Sequence, residues 1–306
     1  MRRLLLATCA SLALLAGAAS ASSGTPPTGQ IVFGLNRFCL TPAPNGPGKV
    51  PIDCGKGEVA VVDANGSGLR VLTHDKVTET SPVWSPNHEQ IAFLRPTKHT
   101  SDQIWVMNAN GTGQHKLTHF TNATEQLYGS TVTSDLSWSP DGTELVFAAY
   151  LNNQGGKEQL FVLNVRTHGV RRLTNLPTGA TEPEWSPDGR WIAFVSSVAP
   201  GRIYLYSPTT HHSRAVDKAS GLCIAWSPDS KHLVFNSGGK LQLVNLTGTH
   251  YHSLGVTGDQ PSFSPDGQWI VFPSGDYLKE IRPNGSGLRH ILYLSSKKGS
   301  NFDPNW

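Results

Sequence analysis

Charge is scarce in this 306-residue chain: Asp, Glu, Lys and Arg make up 15% of it, and 25 basic residues nearly balance 22 acidic ones. No basic cluster follows the first few residues, so a nucleic-acid partner is not expected. Long apolar runs are missing too. The stretch from Leu4 to Ala16 is too short to span a bilayer, and no membrane span is expected in the mature chain. The chain also lacks Gly-x-Ser-x-Gly, His-Glu-x-x-His, Cys-x-x-Cys and a glycine-rich phosphate loop with lysine, leaving common nucleophile, zinc, redox and nucleotide chemistries without an anchor. Helical periodicity fails as well, because apolar residues recur at spacing two and glycine or proline interrupts them repeatedly.

Cysteine is limited to four residues. Cys9 lies in the N-terminal apolar stretch, which has Arg2 and Arg3 before it and a small-residue cleavage site, Ala19-Ser20-Ala21, after it. Residues 1–21 are therefore expected to be a signal peptide and 22–29 a short linker, placing the mature protein in a periplasmic or extracellular compartment. Thr8 is a poor residue before a lipidated cysteine, so a lipid anchor on Cys9 is the weaker reading. Cys39 and Cys54 share one Pro/Gly-rich segment and are expected to form a disulfide in an oxidising compartment. Cys223, in the apolar run Leu222-Cys223-Ile224-Ala225, would then be a free, buried thiol.

What the chain has in abundance is one repeated phrase. It occurs as Trp84-Ser85-Pro86-Asn87-His88, Trp138-Ser139-Pro140-Asp141-Gly142, Trp185-Ser186-Pro187-Asp188-Gly189, Trp226-Ser227-Pro228-Asp229-Ser230 and Phe263-Ser264-Pro265-Asp266-Gly267. The spacing averages about 44 residues, the period of a four-stranded propeller blade. In each unit an inner strand ends at the aromatic residue, and Ser-Pro-Asp-Gly supplies the turn. A β-branched strand ending in Phe follows, then an alternating strand, an Asn-Gly type hairpin and a short strand with Leu-Thr. Ile31-Val32-Phe33 starts a first unit without its inner strand, while Phe302-Asp303-Pro304-Asn305-Trp306 is an inner strand with nothing after it. The expected fold is an all-β, six-bladed β-propeller over residues 30–306, closed by pairing of the C-terminal strand with the N-terminal blade.

The Pro-x-Trp-Ser-Pro-Asp-Gly phrase, the Ile-Ala-Phe-like strand, the Asn-Gly-x-Gly hairpin and the Leu-Thr pair together resemble the TolB-type, WD-like propeller repeat. The Gly-His and Trp-Asp signatures of true WD repeats are not found. In the TolB family the propeller follows an N-terminal α/β domain and serves as a protein-binding platform in the cell envelope. Here the first unit starts shortly after the cleavage site, so the expectation is a propeller without that domain. Related propellers also precede serine-peptidase domains.

Two insertions, 35–57 and 120–133, fall on one propeller face, and long loops on a rigid scaffold commonly bind. Arg37, Phe38, Leu40, Leu127 and Tyr128 are the expected contacts there, whereas the face carrying the short hairpin turns looks plain. Three residues before each aromatic, Ser81, Asp135, Glu182, Cys223, Gln260 and Asp303 should ring the channel. Their carboxylates could repel or share a calcium ion; water filling is the commoner outcome, and no cofactor is expected. His211, His212, His250 and His252 lie near hairpins of adjacent units and could approach a transition metal, though surface histidines are usually solvated. The expected function is a non-catalytic exported platform for a protein or cell-envelope ligand, of undetermined oligomeric state. The alternative is a hydrolase or lyase acting on a polysaccharide or peptide at the channel mouth, with Asp135, Glu182 or Asp303 as acid and base.

Overall fold

The computed structural model describes residues 29–42, 49–74, 77–96, 102–120, 136–150, 157–275 and 277–293, and no side chains within 35–42, 49–56 or at 293. Every regular element among the described residues is a strand. Blade one holds β1 (Gln30–Pro42), β2 (Lys49–Asp63) and β3 (Arg70–Val71). Blade two holds β4 (Thr80–Trp84), β5 (Gln90–Pro96), β6 (Asp102–Asn108) and β7 (His115–Lys116). Blade three holds β8 (Ser137–Trp138), β9 (Glu144–Tyr150), β10 (Glu158–Asn164) and β11 (Val170–Arg172). Blade four holds β12 (Thr181–Trp185), β13 (Ile192–Val195), β14 (Arg202–Tyr206) and β15 (Ser213–Ser220). Blade five holds β16 (Leu222–Trp226), β17 (His232–Ser237), β18 (Lys240–Asn245) and β19 (His252–Thr257). Blade six holds β20 (Ser262–Phe263), β21 (Ile270–Ser274), β22 (Tyr277–Ile281) and β23 (Arg289–Tyr293). The molecule is a six-bladed β-propeller. Its closing strand, expected at 302–306, lies outside the described residues.

Six core clusters hold the ring together, each shared by two neighbouring blades. Side chains alternate across a strand, so each second strand feeds two interfaces. In β5, Ile91 and Phe93 pack with Val32, Val59 and Val61 of blade one, whereas Ala92 and Leu94 pack with Leu145 and Phe147 of blade three. The same phase recurs around the ring. Phe33, Phe93, Phe147, Phe194, Phe235 and Phe272 each point back to the preceding blade and are completely buried. Each such burial contributes about 2–3 kcal/mol, so the interfaces carry much of the fold's stability.

The Ser-Pro-Asp-Gly turns satisfy themselves. In the blade-four copy, Ser186 Oγ donates to Asp188 Oδ1 at 2.6 Å and accepts the Trp191 N–H at 2.9 Å, while Asp188 Oδ1 accepts the Arg190 N–H at 3.0 Å. The blade-three copy repeats this around Ser139 and Asp141, and those hydrogen bonds hold the Asp141 carboxyl below the usual range, its Ser139 bond most of all. The Leu-Thr pairs have a parallel task. Thr118 and Thr174 each accept a backbone N–H from the third strand of their blade and donate to Gln103 and Gln159, tying the exit of the fourth strand inward.

A two-against-one bulge recurs on the inner strands. Register shifts between Thr80 and Val83, Thr181 and Glu184, and Leu222 and Ala225 leave two inner-strand residues opposite one residue of the next strand. The first bulged residue is left-handed each time: Ser81, Glu182 and Cys223 have φ of 52°, 51° and 56°, and Gln260 follows at 41°. Such bulges sharpen strand twist, which suits strands crowded around an axis.

The insertion expected as a loop at 35–57 is instead largely paired. β1 and β2 continue as an antiparallel arm from Leu35↔Glu58 to Pro42↔Lys49, with a shift between Arg37 and Phe38.

Candidate functional site

The inner strands enclose a central cavity of about 430 Å³. Trp84, Trp138, Trp185, Trp226 and Phe263, the aromatic residues of the repeat, wall it, and Pro86, Pro140, Pro187, Pro228 and Pro265 of the turns frame its mouth. Cys223 and Gln260 line its other end. The hairpin face, expected to be plain, contributes its turn prolines to this lining. The sequence signal was already present, since the phrase places an aromatic residue and a proline at every repeat.

The wall is locked by bonds between neighbouring blades. The Trp138 indole N–H donates to the Val83 carbonyl at 3.4 Å, and that of Trp226 to the Glu184 carbonyl at 3.0 Å. The Trp185 backbone N–H donates to Ser137 Oγ at 3.0 Å. The two indole bonds fix the ring planes of Trp138 and Trp226, and fixed aromatic surfaces bind with little loss of conformational entropy. Glu184 and His88 are the ionisable side chains of the described lining. His88 stands where blades three, four and six have glycine; it is left-handed at φ 55°, contacts Trp84 edge-on at 5.9 Å, and burial lowers its pKa.

The expected channel ring is gathered in part. Ser81, Glu182, Cys223 and Gln260 share the bulge conformation and are 1%, 4%, 5% and 5% exposed, but Ser81 and Glu182 do not line the cavity. Glu182 Oε2 accepts the Cys223 N–H from the adjacent blade at 2.5 Å. Burial pushes its carboxyl up to about 8, with Glu158, Asp259 and Glu184 adding smaller like-charge effects against the hydrogen bond. This is an inter-blade strut, neutral at pH 7, rather than a solvent-facing acid. Asp135 and Asp303 lie outside the described residues. Among those described, no three His, Cys, Asp or Glu side chains gather as a metal set.

Cys223 is disulfide-bonded, which corrects the expectation of a free thiol. The expected Cys39–Cys54 pair lies outside the described side chains, as do Arg37, Phe38 and Leu40; Leu127 and Tyr128 lie outside the described residues altogether. The histidines near the hairpins meet protein partners: His211 bonds the Tyr206 hydroxyl at 2.8 Å, His250 meets Asn245 at 2.8 Å, and His252 meets the Pro283 carbonyl at 3.3 Å. No described helix is long and apolar enough to cross a membrane.

Comparison with known proteins gives the same architecture. Residues 121–306 match the family described as the TolB beta propeller domain. An uncharacterized peptidase, YuxL, of Bacillus subtilis is 29% identical over 218 residues, covering 66% of this chain and 31% of the relative. The Tol-Pal system protein TolB of Alcanivorax borkumensis is 33% identical over 95 residues, covering 30% of this chain and 22% of the relative. The chain thus spans about a third or less of these curated relatives. The crystal structure of TolB from Acinetobacter baumannii superposes with a TM-score of 0.64 at 21% identity, covering 85% of this chain and 63% of that one.

Proposed function

Because this chain belongs to the TolB beta-propeller domain family, we propose that it is an exported, non-catalytic platform that binds a protein or cell-envelope ligand through its central channel and long-loop face. The observation that carries this reading is the channel wall, to which every blade from two to six contributes the aromatic residue and the proline of its repeat, with the indoles of Trp138 and Trp226 held by bonds to the neighbouring blade. Concave apolar sites with few polar groups are the usual form of a binding pocket. The long-loop contacts Arg37, Phe38, Leu40, Leu127 and Tyr128 remain part of the proposal, as anchors at the opposite mouth. The hydrolase or lyase alternative has less support: Glu182, the one described candidate acid, is buried in an inter-blade bond and is not among the residues that line the cavity.

Affinity capture from a cell-envelope fraction, followed by binding measurements on the captured ligand, tests the platform. Phe38→Ala and Tyr128→Ala are expected to weaken binding at least about tenfold, as loss of an aromatic anchor does, with Glu182→Gln leaving it unchanged. Turnover of a polysaccharide or peptide by the wild type that Asp135→Asn abolishes would replace this reading with the enzymatic one.

A further inference from the structure

Cys223 has a disulfide partner, and the chain offers three other cysteines: Cys9 in the expected leader, and Cys39 and Cys54 on the β1–β2 arm. The backbone register of the arm argues against the two arm cysteines pairing with each other. Cys39 stands opposite Ile52, and Cys54 falls with Gly55 in the shift between Arg37↔Lys56 and Phe38↔Asp53. Cys39 and Cys54 are therefore not directly opposed across the arm. A disulfide needs Cβ atoms about 3.5–4.5 Å apart.

The position of Cys223 fits a partner on the arm. An inner strand runs from the long-loop face toward the Ser-Pro-Asp-Gly turns, and Cys223 is the second residue of β16, so it sits at the long-loop end of the channel. The arm leaves blade one on that same face, because it prolongs β1 beyond the residues that pair within the blade core. Cys39 and Cys54 are each five residues beyond the Gly34↔Val59 pair, a reach of about 17 Å along a strand. Blade six alone separates blade one from blade five on that side of the ring.

We infer that Cys223 is joined to Cys39 or Cys54, a covalent staple running from the blade-one arm to the inner strand of blade five. Its formation converts two thiols to one disulfide, releasing two protons and passing two electrons to an oxidant of the disulfide-exchange class, such as an oxidised dithiol protein. The staple lies outside the propeller's repeat. It ties the β1–β2 arm to the long-loop end of the channel and stands whether or not that channel binds a protein.

Tryptic mapping of the purified, oxidised full chain after blocking free thiols decides the matter, since Cys39, Cys54 and Cys223 fall in separate peptides, 38–49, 50–56 and 219–231. The expected result is 219–231 linked to 38–49 or to 50–56. A link between 38–49 and 50–56, a thiol-blocked 219–231, or a link from 219–231 to Cys9 overturns the inference. Reduction should also lower the unfolding midpoint by roughly 5 °C or more, because the bridge closes a loop far longer than a local one. Cys223→Ser, if it folds, should show the lower midpoint without reductant and no further drop with it; an additional drop of the same size would place the stabilising bridge elsewhere.

Discussion

Glu182 shows how a single side chain at the centre of the ring can set a pH limit on stability. Its carboxyl is pushed by burial from an ordinary 4.5 to about 8 in the folded protein, while its Oε2 accepts the Cys223 N–H. Between those two values the folded state holds a proton that the unfolded chain has lost. Stability contributed by the neutral acid is therefore complete below pH 4.5 and falls as pH rises toward 8. Glutamine keeps a carbonyl acceptor and cannot ionise. Glu182→Gln should match the wild type in urea at pH 4.5 and exceed it at pH 8, by on the order of a few kcal/mol. Parallel pH profiles for the two proteins would show that the carboxyl is not held neutral. No residue-type signal in the sequence announced this strut: the channel-ring spacing located Glu182, but its left-handed backbone and its bond to the next blade depend on the bulge. The cysteines make the same point. Its apolar neighbours make Cys223 read as a buried free thiol, yet connectivity among cysteines is not encoded by local sequence, and Cys223 is disulfide-bonded.

At the scale of the element, the repeated turn was the most legible part of the chain because its chemistry is local. Proline presets one dihedral, aspartate caps, and the serine hydroxyl closes the loop within five residues, so no distant partner is needed. Ser186 is fully buried at this job. Ser186→Ala should strand the Trp191 N–H and remove a donor from Asp188, costing about 1–2 kcal/mol. Chemical denaturation is the check, with Ser213→Ala on the exposed outer strand as the neutral control; equal losses in both variants would deny the turn its role. The inner-strand bulges were less legible. A period of two predicts which faces strands present, but a two-against-one pairing is chosen by twist and by the partner strand, neither of which a single strand's residues specify. The same locality explains why the 35–57 insertion reads as a loop in the sequence: its Pro/Gly content signals turns, while its pairing depends on residues brought together across the arm.

At the scale of the whole molecule, closure has two parts. One is described: Ile31 and Phe33 of blade one pack with Val271 and Leu278 of blade six, so the last interface of the ring is built like the other five. Gly66 in the blade-one hairpin reinforces it, because a Cβ there would lie 2.1 Å from the Ile291 carbonyl oxygen of blade six, and its φ of 83° suits glycine alone. The other part concerns the inner strand of blade one. Blade one has three described strands where the others have four. Trp138 and Trp226 each donate their indole N–H to the carbonyl just before the aromatic residue of the preceding blade. For Trp84, whose buried indole nitrogen has no partner among the described residues, the equivalent carbonyl belongs to Asn305. The Trp185 nitrogen is also unpartnered there, so the pattern rather than the single atom carries the argument. Deleting residues 301–306 should expose the β1 edge and the face of Trp84, lowering the unfolding midpoint by roughly 5 °C or more, whereas trimming a frayed terminus changes little. A thermal scan of the truncated protein against the full chain is sufficient: coincident curves would mean that inter-blade packing alone closes the ring, and that the final tryptophan is not its fourth strand.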